Sequence, residues 1–521
     1  MTSVILAVDQ GSSSSRCLVL SAEPGDKSGP PGLSVLAAAS TDLATVLPKR
    51  DWVEHDPDEI TVSVRQSITA ALAAAGASWA DVCAIGIAAQ TETFVVWERG
   101  TGRPVYPAIS WRDGRAADVC RRLSDGDDAT EIRRRTGLPL QPAFSASKLR
   151  WLLDEIDGGR RRAAAGELLF GDVNCWLTWQ LSGGTTHVAE PSMASRTMLF
   201  SLADLAWDPG LLDLFGIPAP MLPEVRATTG RIAMTDAGIA GGVAPICATI
   251  GDQQAALFGQ RCFAPGQAKL TLGTGAFLWC QAGNNEPACP PDGVVASCAW
   301  QIDDKAWYAL EGFVPNAGSV MPWLRRLGVL RDDVWPSVGD EALTRVAHAG
   351  TGGLWCVPAV YGLGTPAWSG AAGADIIGLT ATSTAADVGE AALLGVAHQV
   401  ADAIDAVAAA LPDPLRAIRV DGGMASNDSL LQAIADLCSV VLARPAFAEA
   451  TALGVGALAG LGASAWDAAA VSDLLTSAAG ESATVQPRLP ASDRATVRQS
   501  WRRVRDRAVS GWLPAPGLAS S

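Results

Sequence analysis

The sequence reads as an α/β protein of two lobes, and three observations point there. At 521 residues the chain exceeds one ordinary core. Apolar strand-like runs alternate with amphipathic helical stretches. A strand, a glycine turn and a returning strand occur together twice, once at the N-terminus and once beyond Gly251.

The first hairpin is Val4 to Val8, stopped by Asp9-Gln10-Gly11 and four serines, with Cys17 to Leu20 returning. Asp56-Pro57 opens a helix whose apolar face is Ile60, Val64, Ile68 and Leu72, and Gly76 ends it. Val82 to Ile87 and Phe94 to Trp97 read as strands, and Lys148 to Ile156 as a helix. The second hairpin is Ala268 to Leu272, the turn Gly273-Thr274-Gly275, and Ala276 to Cys280. Thr384 to Leu411 carries a helical apolar period and a cap, with Pro412 as its stop. Ile418 to Val420 is a strand that ends in Asp421-Gly422-Gly423, and a helix follows from Asp428.

Composition narrows the function. A net charge of −15 argues against nucleic acid or an anionic membrane as partner. The 11 cysteines are scattered with no Cys-x-x-Cys pair, and there are only 4 histidines, so no zinc-ligand spacing exists. That pattern fits a reducing cytoplasm. The N-terminal apolar run lacks a basic flank and meets Asp9 too early for a signal peptide. Thr451 to Trp466 is too short to span a membrane and reads as a packed internal helix.

Phosphoryl transfer needs donors around phosphates and a carboxylate that takes the proton of the attacking hydroxyl. Three glycine turns at strand ends, Gly11 to Ser15, Gly273 to Gly275 and Gly422-Gly423, offer such donors. Each one alone is equally well explained as an ordinary strand-end turn. No Gly-x-x-x-x-Gly-Lys-Ser/Thr occurs, so a P-loop enzyme is excluded. In GDQQAALFGQ (Gly251 to Gln260), Asp252 fits both a helix N-cap and a general base facing a cleft, and spacing does not choose.

Seven motifs stand in order: DQGSSSSR, WVEHDPDEI, ETFVVWE, GELLFG, ASRTMLF, GDQQAALFGQ and VDGGMASND, spanning Asp9 to Asp428. With them the chain resembles the FGGY carbohydrate kinases, most of all their glycerol kinase branch, from about residue 4 to about residue 465. The resemblance implies an actin/hexokinase-like fold of two RNase-H-like lobes, with ATP, Mg2+ and a small polyol or sugar meeting between them. It implies a first lobe over 1–254 with the polyol pocket, a nucleotide-binding lobe over 255–512 and a flexible tail over 513–521. By carry-over, Asp252 is the general base and Asp9 organises magnesium. Gly11, Ser12, Ser13, Ser14 and Arg16 meet the nucleotide phosphates from the first lobe, Thr274 and Gly275 from the second. Gly318, Gly423 and Asn427 match nucleotide positions. Glu92, Trp111, Gln253 and Phe277 match the polyol pocket.

The chain also departs from that branch. Thr91 precedes Glu92 where an arginine is usual, and Ala143 precedes Phe144 where a tyrosine is usual. Leu394 stands where an acid is usual, and Pro322 where a glutamine is. The loop Gly238 to Val243 lacks the arginine that resembles a fructose-bisphosphate site. Losing a guanidinium and a phenol removes hydrogen bonds each worth about 1–3 kcal/mol. The expected substrate is therefore larger than glycerol: erythritol, threitol, a pentitol or a ketopentose. Glycerol itself is the alternative. A non-catalytic actin-like nucleotide switch is the alternative of another class, and retention of Asp9 and Asp252 speaks against it. The sequence is compatible with a homo-oligomer, dimer or tetramer, and leaves the phosphorylated carbon open.

Overall fold

The computed structural model describes residues 3–21, 33–124, 126–287, 289–330, 353–370, 372–411, 414–415, 417–446, 449–480 and 482–510. The expected stop at Pro412 and the expected tail over 513–521 lie outside these residues.

Two mixed sheets organise the chain. The first runs in the order Thr229–Met234, Pro245–Gly251, Val82–Ala89, Val4–Gln10, Ser14–Ser21, Val35–Asp42. Val4–Gln10 and Ser14–Ser21 form the expected hairpin, with Val4 opposite Ser21 and Gln10 opposite Ser15. On its other side Val4–Gln10 is parallel to Val82–Ala89, which is parallel to Pro245–Gly251. The second sheet runs Val295–Ile302, Lys305–Val314, Ala276–Gly283, Gln267–Leu272, Ala417–Asp421, Val441–Pro445, Ser482–Val485. Gln267–Leu272 again pairs antiparallel with the hairpin's return and parallel with Ala417–Asp421. The first sheet sets a run of three antiparallel strands, and the second a run of four, beside two parallel ones, with one further antiparallel strand at the far edge of each, so the RNase-H-like plan occurs twice.

The parallel strands are covered on both faces, which is why they read as unbroken apolar runs: Val4, Ile5, Leu6, Ala7 and Val8 are all buried. Pro57–Ala75 covers one face of the first sheet with Ile60, Val64, Ile68 and Leu72. Asp56 caps it by accepting from the Asp58 N–H at 2.8 Å. Ala385–Ala409, with a Thr384/Asp387 capping box, is long and apolar enough to cross a membrane, but 83% of its most apolar window is buried in the core of the second lobe.

One helix crosses between the halves. Ala450–Gly462, late in the chain, packs on Val4–Gln10, Val82–Ala89 and Pro245–Gly251 of the first sheet, and along Asp252–Gly259. The two helices meet at glycine: a Cβ on Gly454 would lie 1.9 Å from the Ala255 carbonyl oxygen. A smaller four-stranded sheet, Glu54–His55, Ala108–Ile109, Phe94–Glu98, Leu168–Asp172, flanks the first lobe and carries one wall of the cleft.

Candidate active site

Three parallel strands of the first sheet deliver their C-terminal ends to one cavity. Val4–Gln10 brings Ser12, Val82–Ala89 brings Gln90, Thr91 and Glu92, and Pro245–Gly251 brings Asp252 and Gln253. This is where an α/β sheet presents ligand-binding groups. Trp111 and Arg196 close it from the first lobe, and Phe277, Trp279 and Glu311 from the second sheet. The cavity measures about 120 Å³. Trp111 and Phe277 meet edge to face at 6.3 Å.

Glu92 is a non-glycine residue with φ of 61°, a sparsely populated conformation that surroundings must hold in place. Its carboxylate accepts from the Thr91 hydroxyl at 2.6 Å on one oxygen and from Arg196 Nε at 2.6 Å on the other. Arg196 also donates to Ser297 Oγ at 2.7 Å and pairs with Glu311 at 2.8 Å. Phe144 and Trp279 flank its guanidinium, each 5.3 Å away. A buried ammonium braces the same wall from behind. Lys148 Nζ donates to the carbonyls of Ala143 at 2.6 Å and Ser110 at 2.9 Å, and reaches that of Glu92 at 3.5 Å.

Asp252 opens the helix Asp252–Gly259, but the N-cap is Gly251 and no side chain caps that end. Its carboxylate accepts from the adjacent Gln253 N–H at 2.6 Å and faces the cavity. Burial, with the Glu92 charge beside it, raises its pKa to about 6, and Lys269 opposes that rise. Asp9, at the end of the first strand, is raised to about 7 by burial and by the charges of Asp252 and Glu449. This excess of negative charge suits a divalent cation, which takes one or two carboxylates and completes its shell with phosphate oxygens and water.

A second, more open cavity of about 410 Å³ lies at the end of the strand Ala417–Asp421. Asp421, Gly422, Ala425, Ser426, Arg444 and Pro445 line it with Val420. Gly422 has φ of 89°, and a Cβ there would lie 2.5 Å from the Leu272 carbonyl oxygen. Gly423 has open space where a side chain would be, so a flat ligand can approach its backbone. Arg444 is fixed to Ala425 O and Asp428 Oδ1, both at 2.8 Å.

The expected site residues divide between these places. Thr91, Glu92, Trp111, Asp252, Gln253 and Phe277 share the small cavity. Ser12 joins them: its hydroxyl accepts from Trp111 Nε1 at 3.0 Å and lies 3.3 Å from Gln90 Oε1. Ala143 is not among the lining residues and offers its carbonyl to Lys148 instead. Gly11 closes its turn by donating to Ser14 O at 2.9 Å, and Ser13 is exposed beside them. Arg16 is paired with Glu449, the residue just ahead of the crossing helix. Thr274 O accepts from Ala317 N and Ser319 N, and Gly318 N donates to Gly273 O, so the Gly273–Gly275 turn is tied by its backbone to the segment at Gly318. Asn427 caps the helix Asp428–Cys438 by accepting from Leu430 N at 2.9 Å. Pro322 lies exposed in the helix Val320–Arg326, and Leu394 is buried in the second core.

Four cavity residues have no role in the sequence reading: Gln90, Arg196, Trp279 and Glu311. Arg196 lies inside the quoted motif ASRTMLF. Glu311 shows only as an acid in an otherwise apolar strand, Tyr308 to Val314.

Comparison with known proteins gives the family. Residues 4–259 match the N-terminal domain of the FGGY family of carbohydrate kinases, and residues 268–463 match its C-terminal domain. A Thermus brockianus protein named glycerol kinase is 42% identical over 98% of this chain and 99% of its own length. Another so named, from Citrifermentans bemidjiense, is 45% identical over 90% of this chain and 92% of its own. The crystal structure of Plasmodium falciparum glycerol kinase with ADP superposes with a TM-score of 0.86 at 28% identity, covering 99% of each chain. A gluconate kinase from Lactobacillus acidophilus, at 20% identity and a TM-score of 0.82 over 97% of each chain, shares the fold. The chain belongs to the FGGY family of carbohydrate kinases and is an ATP-dependent kinase.

Proposed function

We propose that this kinase phosphorylates a hydroxyl of a short, uncharged polyol, with glycerol the first candidate. One observation carries the reading: Asp252, Glu92 and Gln253 converge on a cavity of about 120 Å³ between Trp111 and Phe277. Ligand clefts commonly measure about 300–1,000 Å³, so a cavity this small suits a substrate of few carbons. The relatives at 42% and 45% identity named glycerol kinase weigh the same way, against the larger substrate expected from Thr91 and Ala143.

Charge sorts the substrate class. Glu92, Asp252 and Glu311 line the cavity with one cation, Arg196, and Lys269 stands behind Gln253, an excess of one negative charge with all five ionised. Both carboxylates nearest Arg196 already occupy its guanidinium. A sugar acid would bring a further anion with no cation to receive it.

In this reading Asp252 accepts the proton of the reacting hydroxyl while its oxygen bonds to the γ-phosphorus and ADP leaves. Glu92 accepts from a second hydroxyl and fixes the acceptor. The turns at Gly11 and Gly273 donate backbone N–H groups to the phosphates. Asp9 is the carboxylate that would hold Mg2+, which neutralises phosphate charge when bound.

A four- or five-carbon polyol is the second reading, favoured by the small side chain at Thr91 in the cavity wall. ADP release across glycerol, erythritol, threitol, the pentitols, ketopentoses and hexoses tests both. A preference for glycerol supports the first, and a preference for a longer polyol the second. No ADP above background from any of them refutes the kinase mechanism as drawn.

A further inference from the structure

Lys269 sits in the strand Gln267–Leu272, directly ahead of the Gly273–Gly275 turn, and is fully buried. A lysine in the middle of an apolar strand is expensive unless its ammonium has partners. Here Nζ donates to Gln253 Oε1 and to Thr271 Oγ1, the latter at 2.9 Å. Asp421, Asp252 and Glu311 surround it with negative charge, and Arg419 is its register neighbour on the adjacent parallel strand. Lys269 thus reaches one lining residue of the small cavity, Gln253, from the strand that leads into the Gly273–Gly275 turn.

The chemistry of the contact fixes an orientation. An ammonium only donates, so the amide group it meets must present its oxygen. Gln253 therefore turns Oε1 to Lys269, and its NH2 is the end that faces the Asp252 carboxylate and the cavity. The acceptor site gains a defined pattern: Glu92 and Asp252 accept from substrate hydroxyls, while Gln253 donates to a substrate oxygen. With the amide reversed, Gln253 would set a third acceptor beside two carboxylates, and a bound hydroxyl oxygen would lose its donor.

We propose that Lys269 is the positioning residue for the acceptor, locking the Gln253 amide with its NH2 toward the substrate and tying that lock to the strand that feeds the Gly273–Gly275 phosphate turn. This rests on the reading of the small cavity as the polyol site.

The test compares wild type, Lys269→Met, Gln253→Met and the double variant, with steady-state kinetics on the best polyol found. K269M should raise the polyol KM by about 10-fold or more, the range for a lost charge-assisted hydrogen bond, and leave the ATP KM within about 2-fold. The double variant should be no worse than Q253M, because both substitutions remove one interaction. Multiplying effects, or an equal rise in the ATP KM, would overturn the proposal. A second readout needs no turnover. In protein labelled with [15N]glutamine, the Gln253 side-chain NH2 pair is assigned by its loss in Q253M. It should be a single sharp pair in wild type and should shift or broaden in K269M. An unchanged pair in K269M refutes the lock even if every polyol fails, whereas failed turnover with a shifted pair refutes only the polyol reading. If K269M melts too low to assay, Lys269→Gln carries the same two measurements.

Discussion

Replacing Arg196 by Met is the most informative single perturbation of the site. The guanidinium holds two buried carboxylates, Glu92 Oε1 at 2.6 Å and Glu311 Oε2 at 2.8 Å, and also donates to Ser297. Glu92 and Arg196 come from the first lobe, whereas Ser297 and Glu311 lie on the second sheet. Methionine keeps much of the volume between Phe144 and Trp279 but strands both acids. Breaking a buried ion pair by removing one partner costs about 3–5 kcal/mol. At about 2–4 °C per kcal/mol for domains of this size, the melting temperature should fall by about 6–20 °C. Uptake of a proton by Glu311, whose pKa burial already raises, would keep the loss near the lower end. Adding Glu311→Gln should then recover part of the loss, since it removes one stranded charge. Scanning calorimetry gives the stability, and kcat/KM for the polyol gives the catalytic effect, expected to fall at least 10-fold as Glu92 loses its fixed orientation. A melting temperature within about 2 °C of wild type, together with unchanged kcat/KM, would show that the clasp is an idle surface-like pair and refute the reasoning (such a shift corresponds to about 1 kcal/mol).

Asp252→Asn should lower turnover by about 10²–10⁴-fold with nucleotide affinity unchanged, measured by steady-state kinetics and nucleotide titration. Undiminished turnover in the D252N protein would leave Asp252 a helix-start residue only. Because the folded Asp252 carboxyl is raised to about 6, the base form is lost as pH falls through that value, so kcat/KM should fall as the pH drops below about 6. Thr91→Arg with Ala143→Tyr should shift preference toward glycerol if the natural substrate is longer, and should not raise kcat/KM for glycerol if it is glycerol already. Fructose 1,6-bisphosphate should leave activity unchanged, because Gly241 and Gly242 press on the Trp79 ring, and residues 238–243 offer no basic side chain.

Legibility in the sequence follows how local each constraint is. The hairpin at Val4–Gln10 and the cap at Asp56 are settled by neighbours in the chain, and both stand where periodicity and turn residues put them. Asp252 is ambiguous in the sequence because an acid at a helix start has a local explanation. The structure removes that explanation, since Gly251 is the N-cap and the carboxylate turns to the cavity. What the sequence hides is long-range. Thr91 reads as a lost guanidinium, yet a guanidinium does reach Glu92 from Arg196, 104 positions on. No period or turn signal links those two residues; only the fold brings them together. Lys269 is the same case across lobes, an ammonium on the second sheet whose partner Gln253 begins a helix leaving the first. A substitution read in isolation therefore misstates the pocket, because the charge that answers Glu92 is set by topology. The pocket's polarity belongs to the set of Thr91, Glu92, Arg196 and Glu311 taken together. Within that set Thr91 is not merely a loss: its hydroxyl donates to the second oxygen of Glu92 at 2.6 Å, so both carboxylate oxygens have a partner that orients them.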